Sequence, residues 1–577
     1  MSKNWRINIV LFFIFLGAGM VITRLFYLQI QQGNFYKAMG QGQQTSLLDA
    51  KGERGNIYFS NGEPLALTER AAYVFISPTE ITEKEKVVEE LSKILNIDTT
   101  EILEKANVPN SQYQIIQKNL SKSTAENIEN LQLEGIHIGY EQQRDYPNKQ
   151  TACQLVGYVN QEGQGQYGVE EYYNNELEGK ESVQKNNTNP WNFLLSPETN
   201  DSINGASIYL TIDYNIQYVA EKLLADKAED YGYKSGSIIV MEPDTGAIIA
   251  MAQYPLFDPN SYQTQKDFSI FQNDAVQRIF EPGSIFKSIT MAAALNEKKV
   301  TPGTTYNDNK GYEQFGTYKV SNYNDHIWGL INMTNVLEHS INTGIMFAEQ
   351  QIGHSKFIEY LENFGFFEKS GIDLSGEVAS QNQEIKKALA NKNSAVTFGN
   401  ASFGQGIGIN PLHITTAYCA IANGGNLVKP YIVKEIDTNT KKITQTQTVR
   451  RVLTAETTDA LKNMMTSVVE NGYGHLAKIP GYYIAGKTGT AQAPWTSLGI
   501  NKGGYSDQTW QTFLGFAPAY NPKFVALVKL DNPANIKTSE YSATPIFHDL
   551  AKYIFDYWQI PPDYIEQTTE TIDTPAE

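Results

Sequence analysis

Seventeen residues without a charge, Ile7 to Thr23 (INIVLFFIFLGAGMVIT), stand near the start of a 577-residue chain that has no second run like them. A helix of about 17 residues is at the short limit for crossing a bilayer. Leu25, Phe26, Tyr27, Leu28 and Ile30 carry the apolar pattern past Arg24. Arg24 has the reach to place its guanidinium at the interface, and Trp5 and Tyr27 suit the two membrane boundaries. Lys3 and Arg6 precede the run, which puts the N-terminus in the cytoplasm and everything after it outside. The expectation is a cytoplasmic tail over 1–6 and a single-pass transmembrane anchor helix over 7–30 in a plasma membrane. A cleaved signal peptide competes with it, since Gly17-Ala18-Gly19 offers small residues; the helical pattern continuing beyond the run favours the anchor. The bulk of the chain is then extracytoplasmic, where ATP-dependent chemistry is not expected.

That bulk exceeds one hydrophobic core and implies two or more domains. With 63 acidic against 46 basic residues the formal charge is −17, a balance that repels nucleic acid. Cys153 and Cys419 are the only cysteines, too few for a disulfide framework or a cysteine zinc site. Cys419 lies in the apolar run Ala417 to Ile421, as a buried structural thiol would.

Residues 31–205 mix short strand-like pieces with a charged helical stretch, Thr82 to Leu95, and Ser182 to Asn204 reads as loop. SIYLTID, Ser207 to Asp213, alternates like a strand, and Tyr214 to Tyr231 has helical spacing. SGSIIVMEP and AIIAMAQY around Asp244-Thr245-Gly246 form a hairpin signature. Helical patterns follow at Ser284 to Leu295, Met333 to Ile352 and His413 to Ala422, and strand patterns return at GYYIAGKTGTAQ and FVALVKL. A hairpin, a block of helices and then strands imply an α+β domain over 206–560, an antiparallel sheet with helices packed on it. Residues 561–577 are acidic and rich in Thr, and are expected to form a disordered tail.

Glu281-Pro282-Gly283-Ser284-Ile285-Phe286-Lys287 places a serine at a helix start, with a lysine three residues on and on the same face. A buried lysine there is able to stay neutral and take the serine proton, which a weak hydroxyl nucleophile needs. The helix N-terminus also offers N–H groups to a developing oxyanion. Ser-x-x-Lys alone is a weak signal, for it recurs at Ser182 to Lys185 in a polar loop with nothing to desolvate the lysine. Ser340-Ile341-Asn342 falls between helical patterns, and Lys487-Thr488-Gly489-Thr490 ends a strand pattern. Each is weak singly; the ordered trio of helix start, inter-helix loop and strand is specific, and such a set marks penicillin-binding proteins and class A β-lactamases.

Over nearly its whole length the chain resembles the class B penicillin-binding proteins. Arg54-Gly55-Asn56-Ile57, Asn61-Gly62 and Leu65-Ala66 look like that family's pedestal signature. Arg144, Tyr146-Pro147, Gly157-Tyr158 and Gly168-Val169-Glu170 look like its second block. Leu210-Thr211-Ile212-Asp213, Phe257-Asp258-Pro259-Asn260, Ser402 to Gly406, Asn423-Gly424-Gly425 and Phe513 to Pro518 are similar to further blocks.

The resemblance implies an elongated pedestal, or dimerisation-like, domain over 31–205 and a transpeptidase domain over 206–560. It implies a peptidoglycan D,D-transpeptidase in which Ser284 attacks the penultimate D-Ala of a stem peptide and expels the terminal D-Ala. Lys287 would be the base, Ser340 a proton relay to the leaving amine, Asn342 a hydrogen-bond partner of the substrate amide, and Lys487 the source of positive potential. Thr488, with Gly489 and Thr490, would bind the terminal carboxylate, and the backbone N–H groups of Ser284 and Thr490 would form the oxyanion hole. It further implies binding of β-lactams, no metal or organic cofactor, and strand polymerisation by a SEDS-type glycosyltransferase partner alongside other division proteins. The Glu-Pro-Gly before Ser284, and Asn342 where elongation enzymes often have Asp, favour a septal role over an elongation role.

Three positions depart from the pattern: Ile285 and Asn410 stand where Thr is usual, and Gly474-His475 replaces Gly-Thr. Rival readings are weaker. A β-lactamase needs a deacylating base, and no Glu-x-x-Leu-Asn lies between Ser340 and Lys487. The intact trio argues against a dead scaffold, and the lack of a cytoplasmic domain against a sensor. His339 beside Ser340 does not make a serine–histidine pair, because helix neighbours do not face each other. His413 and His548 read as packing or surface residues.

Overall fold

The computed structural model describes residues 5–26, 52–180, 204–390, 395–438 and 440–564. The expected loop Ser182 to Asn204, with its Ser-x-x-Lys copy, lies outside the described residues up to 203, as do residues 27–30 of the anchor and the tail beyond 564. The N-terminal run is helical over Trp5–Phe26 (α1), and Leu11, Phe12, Phe13, Ile14, Phe15 and Leu16 are exposed on it. Among the described residues no helix is long and apolar enough to cross a membrane. The described side chains of α1 run unbroken only over 11–21, and a span takes about 20 residues.

Two compact units interleave along the chain. The first contains Leu67–Asp145 with the pieces ending at Gly55 and running Glu178–Ala206; the second contains Asn56–Ala66, Tyr146–Leu177 and everything from Ser207. The chain therefore passes between the two units several times.

In the first unit, residues Leu67 to Ile76 pair antiparallel with Ile136–Asp145, and Ala72 to Ile76 with Gln114–Leu120. The charged stretch becomes helix Lys84–Leu95, which buries Val87, Val88, Leu91 and Leu95 and ends at Asn96 in the left-handed region. This helical spacing turns one apolar stripe inward, onto Val74, Ile76, Ile102 and Ile128. Arg144 Nη1 donates to Gly55 O at 2.7 Å and to Thr68 Oγ1 at 2.8 Å.

In the second unit, helix Tyr214–Tyr231 (α2) starts at Asp213, whose carboxylate accepts from the N–H groups of Asn215 and Ile216, and stops at Gly232 with φ 74°. The hairpin follows as Ser235–Met241 (β1) and Ile248–Tyr254 (β2). The block of helices comprises Lys287–Asn296 (α3), Met333–Glu338 (α4), Asn342–Ile352 (α5), Pro411–Ala422 (α6) and Ala455–Asn471 (α7). Ala485–Pro494 (β3), Tyr505–Ala517 (β4), Phe524–Asp531 (β5) and helix Ala543–Trp558 (α8) complete it. The strands form one antiparallel sheet in the order β3-β4-β5-β1-β2.

Alternation sends successive side chains to opposite faces, and here both faces are covered. Ile238 and Val240 of β1, with Phe513 and Val528, join a core with Ile216 and Leu224 of α2 and Phe547 and Leu550 of α8. Ile239 and Met241, with Leu514 and Leu527, face the larger core of α3, α5 and α6. Burial on both sides explains why β1 and β5 read as near-continuous apolar runs. Within this unit the segment Tyr146–Leu177 is tied down by polar contacts: Ala152 N–H donates to Glu221 of α2 at 2.7 Å, and Tyr173 Oη to Asp373 at 2.8 Å.

Candidate active site

The turn that carries Ser284 is closely hemmed in by neighbouring backbone, and glycines make that approach possible. Gly283–Phe286 is a 3-10 turn running straight into α3. Gly283 has φ 58°, and a Cβ there would lie 2.7 Å from Ala491 Cβ on β3. From the other side Gly404, φ 82°, approaches so closely that a Cβ would sit 2.3 Å from Gly283 O. Gly283 N–H donates to Gly404 O at 3.1 Å, Thr290 Oγ1 to Ser402 O at 2.7 Å, and Tyr418 Oη to Ile285 O at 2.6 Å. The turn is thus clamped between β3 and the 402–406 loop.

Lys287, the first residue of α3, is fully buried. Its Nζ lies 3.1 Å from Ser340 Oγ, 2.7 Å from Asn342 Oδ1 and 2.5 Å from Ser340 O. Burial, reinforced by the charge of Lys487, holds its pKa well below the usual lysine range. The contacts fit a neutral amine: two N–H groups meet the two obligate acceptors, Ser340 O and Asn342 Oδ1, and the lone pair faces a hydroxyl. The Asn342 amide has its orientation fixed by its own Nδ2, which donates to Ser321 O at 2.8 Å.

The second motif is a break between helices. His339 closes α4, Ser340 takes φ 54°, and Asn342 opens α5. Behind it stands a buried network that nothing in the motif announces. Thr343 N–H donates to Asn322 Oδ1 at 3.1 Å, and Asn322 Nδ2 donates to Asp308 Oδ2 at 2.9 Å. Asp308 also accepts from the N–H groups of Gly311 at 3.0 Å and Trp328 at 2.9 Å.

On β3 the strand alternation turns Lys487, Gly489 and Ala491 toward one face and Thr488 and Thr490 toward the other. Lys487 is fully buried, its pKa lowered by burial to about 7, and its Nζ lies 3.1 Å from Thr488 O and 3.3 Å from Thr488 Oγ1. A Cβ on Gly489 would lie 3.2 Å from Pro282 O and 2.4 Å from Thr512 Oγ1, so glycine is what lets β3 approach the serine turn. Thr490 is exposed, and its Oγ1 accepts from Ser539 N–H at 3.1 Å.

The structure thus sets the Ser284 turn against the edge strand β3, which carries Lys487, Thr488, Gly489 and Thr490, and brings Lys287 onto Ser340 and Asn342. Sequence reasoning passed over Asp308 and Asn322, which join one another and Trp328 and Thr343 across as many as 21 residues. It also passed over a role for Glu281. Tyr505 Oη donates to Glu281 Oε2 at 3.0 Å, and burial raises that carboxyl to about 7. His413 is buried, 2.8 Å from Ser380 Oγ and 3.5 Å from Glu377. His548 lines a surface cavity of about 270 Å³ with His475, Lys478 and Asp549, which includes no motif residue. Among the described residues no group of His, Cys, Asp and Glu is placed to hold a metal ion.

Residues 236–552 match the penicillin binding protein transpeptidase domain, and residues 49–210 the penicillin-binding protein dimerisation domain. Stage V sporulation protein D of Bacillus subtilis is 31% identical over 95% of this chain and 85% of its own length. The peptidoglycan D,D-transpeptidase FtsI homolog of Mesostigma viride is 30% identical over 96% of each chain. Among solved structures, penicillin binding protein 3 of Mycobacterium tuberculosis complexed with aztreonam is 25% identical, with a TM-score of 0.69 over 89% of this chain and 98% of that one. A serine turn, a buried lysine and a Lys-Thr-Gly strand, set in a domain matched over more than half the chain, place this protein among the class B penicillin-binding proteins, the serine-type transpeptidases of the cell wall.

Proposed function

We propose that this protein crosslinks peptidoglycan stem peptides through an acyl-enzyme on Ser284, releasing D-Ala. The observation that carries the reading is Lys287: fully buried, depressed in pKa, and within hydrogen-bonding distance of Ser340 and Asn342. A neutral amine three residues from a serine hydroxyl is the base that the hydroxyl needs. Ser284 attacks the carbonyl of the penultimate D-Ala and passes its proton to Lys287. The oxyanion is held by the N–H groups of Ser284 and Thr490. Ser340 hands a proton to the departing amine, Asn342 holds the substrate amide, and Thr488 and Thr490, beside Lys487, hold the terminal carboxylate. An amine of a neighbouring stem peptide then takes the acyl group.

The finer reading is septal synthesis by a membrane-anchored enzyme working beside a SEDS-type glycosyltransferase. The domain limits are read as pedestal 31–205 and transpeptidase 206–560, with an anchor over 7–30 supported by the uncharged run and the exposed apolar side chains of α1. Fluorescent penicillin tests the chemistry: Ser284→Ala abolishes labelling and Ser182→Ala leaves it unchanged. Labelling that survives Ser284→Ala in folded protein overturns the mechanism. A form lacking 1–30 is expected to be soluble and still labelled, and depletion to give filaments; cells that round up while still dividing would replace the septal role with elongation.

A further inference from the structure

Beside the serine of the second motif stands a wall of aromatic rings that the reaction above leaves unused. The His339 imidazole lies flat on the Trp328 indole, with centroids 4.5 Å apart and planes 10° apart. Tyr473 meets the His339 ring edge-on at 5.9 Å, and His326 meets Trp328 at 4.5 Å. Tyr473 and His326 are exposed, and Trp328 and His339 are half-buried. The wall is fixed in position. The backbone N–H of Trp328 donates to Asp308, the anchor of the network behind Thr343, and the backbone N–H of Tyr473 donates to Glu338 O at 3.1 Å. Among the described residues the ring nitrogens of His339 have no hydrogen-bond partner.

We propose that Trp328, His339 and Tyr473, flanked by His326, form the subsite for the acceptor amine of the crosslinking step. The inference rests on the transpeptidase reading above. In that reading the departing amine receives its proton beside Ser340, so the incoming amine, which retraces the same position, arrives beside Ser340 too. His339 closes α4, the chain turns out of the helix at Ser340 with φ 54°, and the charge of Lys487 bears on the His339 ring from the site side. A primary amine at neutral pH is an ammonium ion, and aromatic faces, the indole above all, attract a cation that is being stripped of water. The ammonium must lose a proton before it attacks, and an unpartnered imidazole is the acceptor within the wall. Burial, aided by His326 and Lys487 and opposed by Glu338, holds that imidazole below the ordinary histidine pKa, hence neutral at pH 7.

The step balances. The ammonium gives one proton to His339, which releases it to solvent. The amine nitrogen bonds to the acyl carbon, the ester bond to Ser284 Oγ breaks, and the second amine proton passes through Ser340 and Lys287 to Oγ.

The test uses the full chain acylated at Ser284 by a thioester donor, with products divided into aminolysis and hydrolysis. Two acceptors are compared: Nα-acetyl-lysine amide, cationic at neutral pH, and hydroxylamine, which is uncharged there. Trp328→Leu and His339→Gln are each expected to lower the aminolysis-to-hydrolysis ratio about tenfold with the lysine amine and by less than about twofold with hydroxylamine. An unchanged ratio with the lysine amine overturns the proposal. So does an equal fall with both acceptors, which would make the wall a mere support of the cleft. The ratio is scored only on protein that acylates; a wild-type chain that never acylates at Ser284 would sink the transpeptidase reading and the proposal with it.

Discussion

Lys287 Nζ lies 2.7 Å from Asn342 Oδ1, and the amide that offers that oxygen is locked by its own bond to Ser321 O at 2.8 Å. An amide oxygen is an acceptor only, so the lysine must spend a proton on it. A second proton goes to Ser340 O, and what remains of a neutral amine is a lone pair turned toward the Ser340 hydroxyl.

Replacing that amine with a group that cannot deprotonate tests the arrangement. Lys287→Arg puts a permanently protonated group where the neutral amine stood, and acylation of the folded protein by penicillin is expected to fall about a thousandfold. In the wild type the acylation rate should rise with pH through the depressed lysine pKa, because only the neutral form accepts the serine proton. Stopped-flow acylation across pH checks both, and near-normal acylation of the arginine variant would assign the base elsewhere.

Two glycines two residues apart separate a clash from mere backbone cost. Gly404 and Gly406 both have positive φ, 82° and 68°, but only Gly404 faces an obstacle, Gly283 O at 2.3 Å from a Cβ, while Gly406 faces open space. Gly406→Ala should cost only the left-handed penalty of about 1–2 kcal/mol and keep its acylation rate near wild type. Gly404→Ala must displace the serine turn, and acylation is expected to fall more than about tenfold. Equal acylation rates in the two variants would mean that the clamp does not set the position of Ser284.

Much of this site was legible because its chemistry sits in short motifs whose context repeats their meaning. Ser284 falls at a helix start, Ser340 at a helix break and Lys487 on a strand, each where its residue pattern put it. The helix from Tyr214 to Tyr231 was legible from its spacing, and the structure caps it at those limits with Asp213 and Gly232. Strand β4 carries polar residues through its first half, Tyr505 to Thr512, and alternation gave no sign of it there; cross-strand pairing on both sides determines it. The Asp308 network and the Trp328–His339 stack join residues from different loops, and no local pattern marks such pairs.

Asp308 offers a direct test of that hidden support. Its buried carboxylate accepts three N–H donors, two from backbone and one from Asn322. Asp308→Ala orphans them at about 1–3 kcal/mol each before relaxation, so a lowered melting temperature is expected. Since Asn322 also holds Thr343, next to Asn342, acylation of the folded fraction should fall by about tenfold. Thermal denaturation together with acylation rates below the transition decides it; a variant that melts early yet acylates normally would confine the network to stability.

Glu281 ties the serine turn to strand β4 through Tyr505, and its titration should show in stability. Burial raises its carboxyl from 4.5 to about 7, against the opposing bonds from Gly406 N–H and Tyr505 Oη. Below the ordinary carboxyl range both folded and unfolded chains are protonated there, and the full contribution is present. As pH rises toward 7 the unfolded chain releases the proton first, the folded chain binds more protons, and stability declines. Across the window from 4.5 to about 7 this single group accounts for a loss of up to about 3 kcal/mol. Glu281→Gln keeps the size and an acceptor oxygen but cannot ionise, so the decline over that window should flatten by that amount. Urea unfolding at several pH values from 4.5 to 7.5 measures it. If wild type and variant give parallel curves, the carboxyl is already ionised in the folded protein and the Tyr505 contact is that of an ordinary carboxylate.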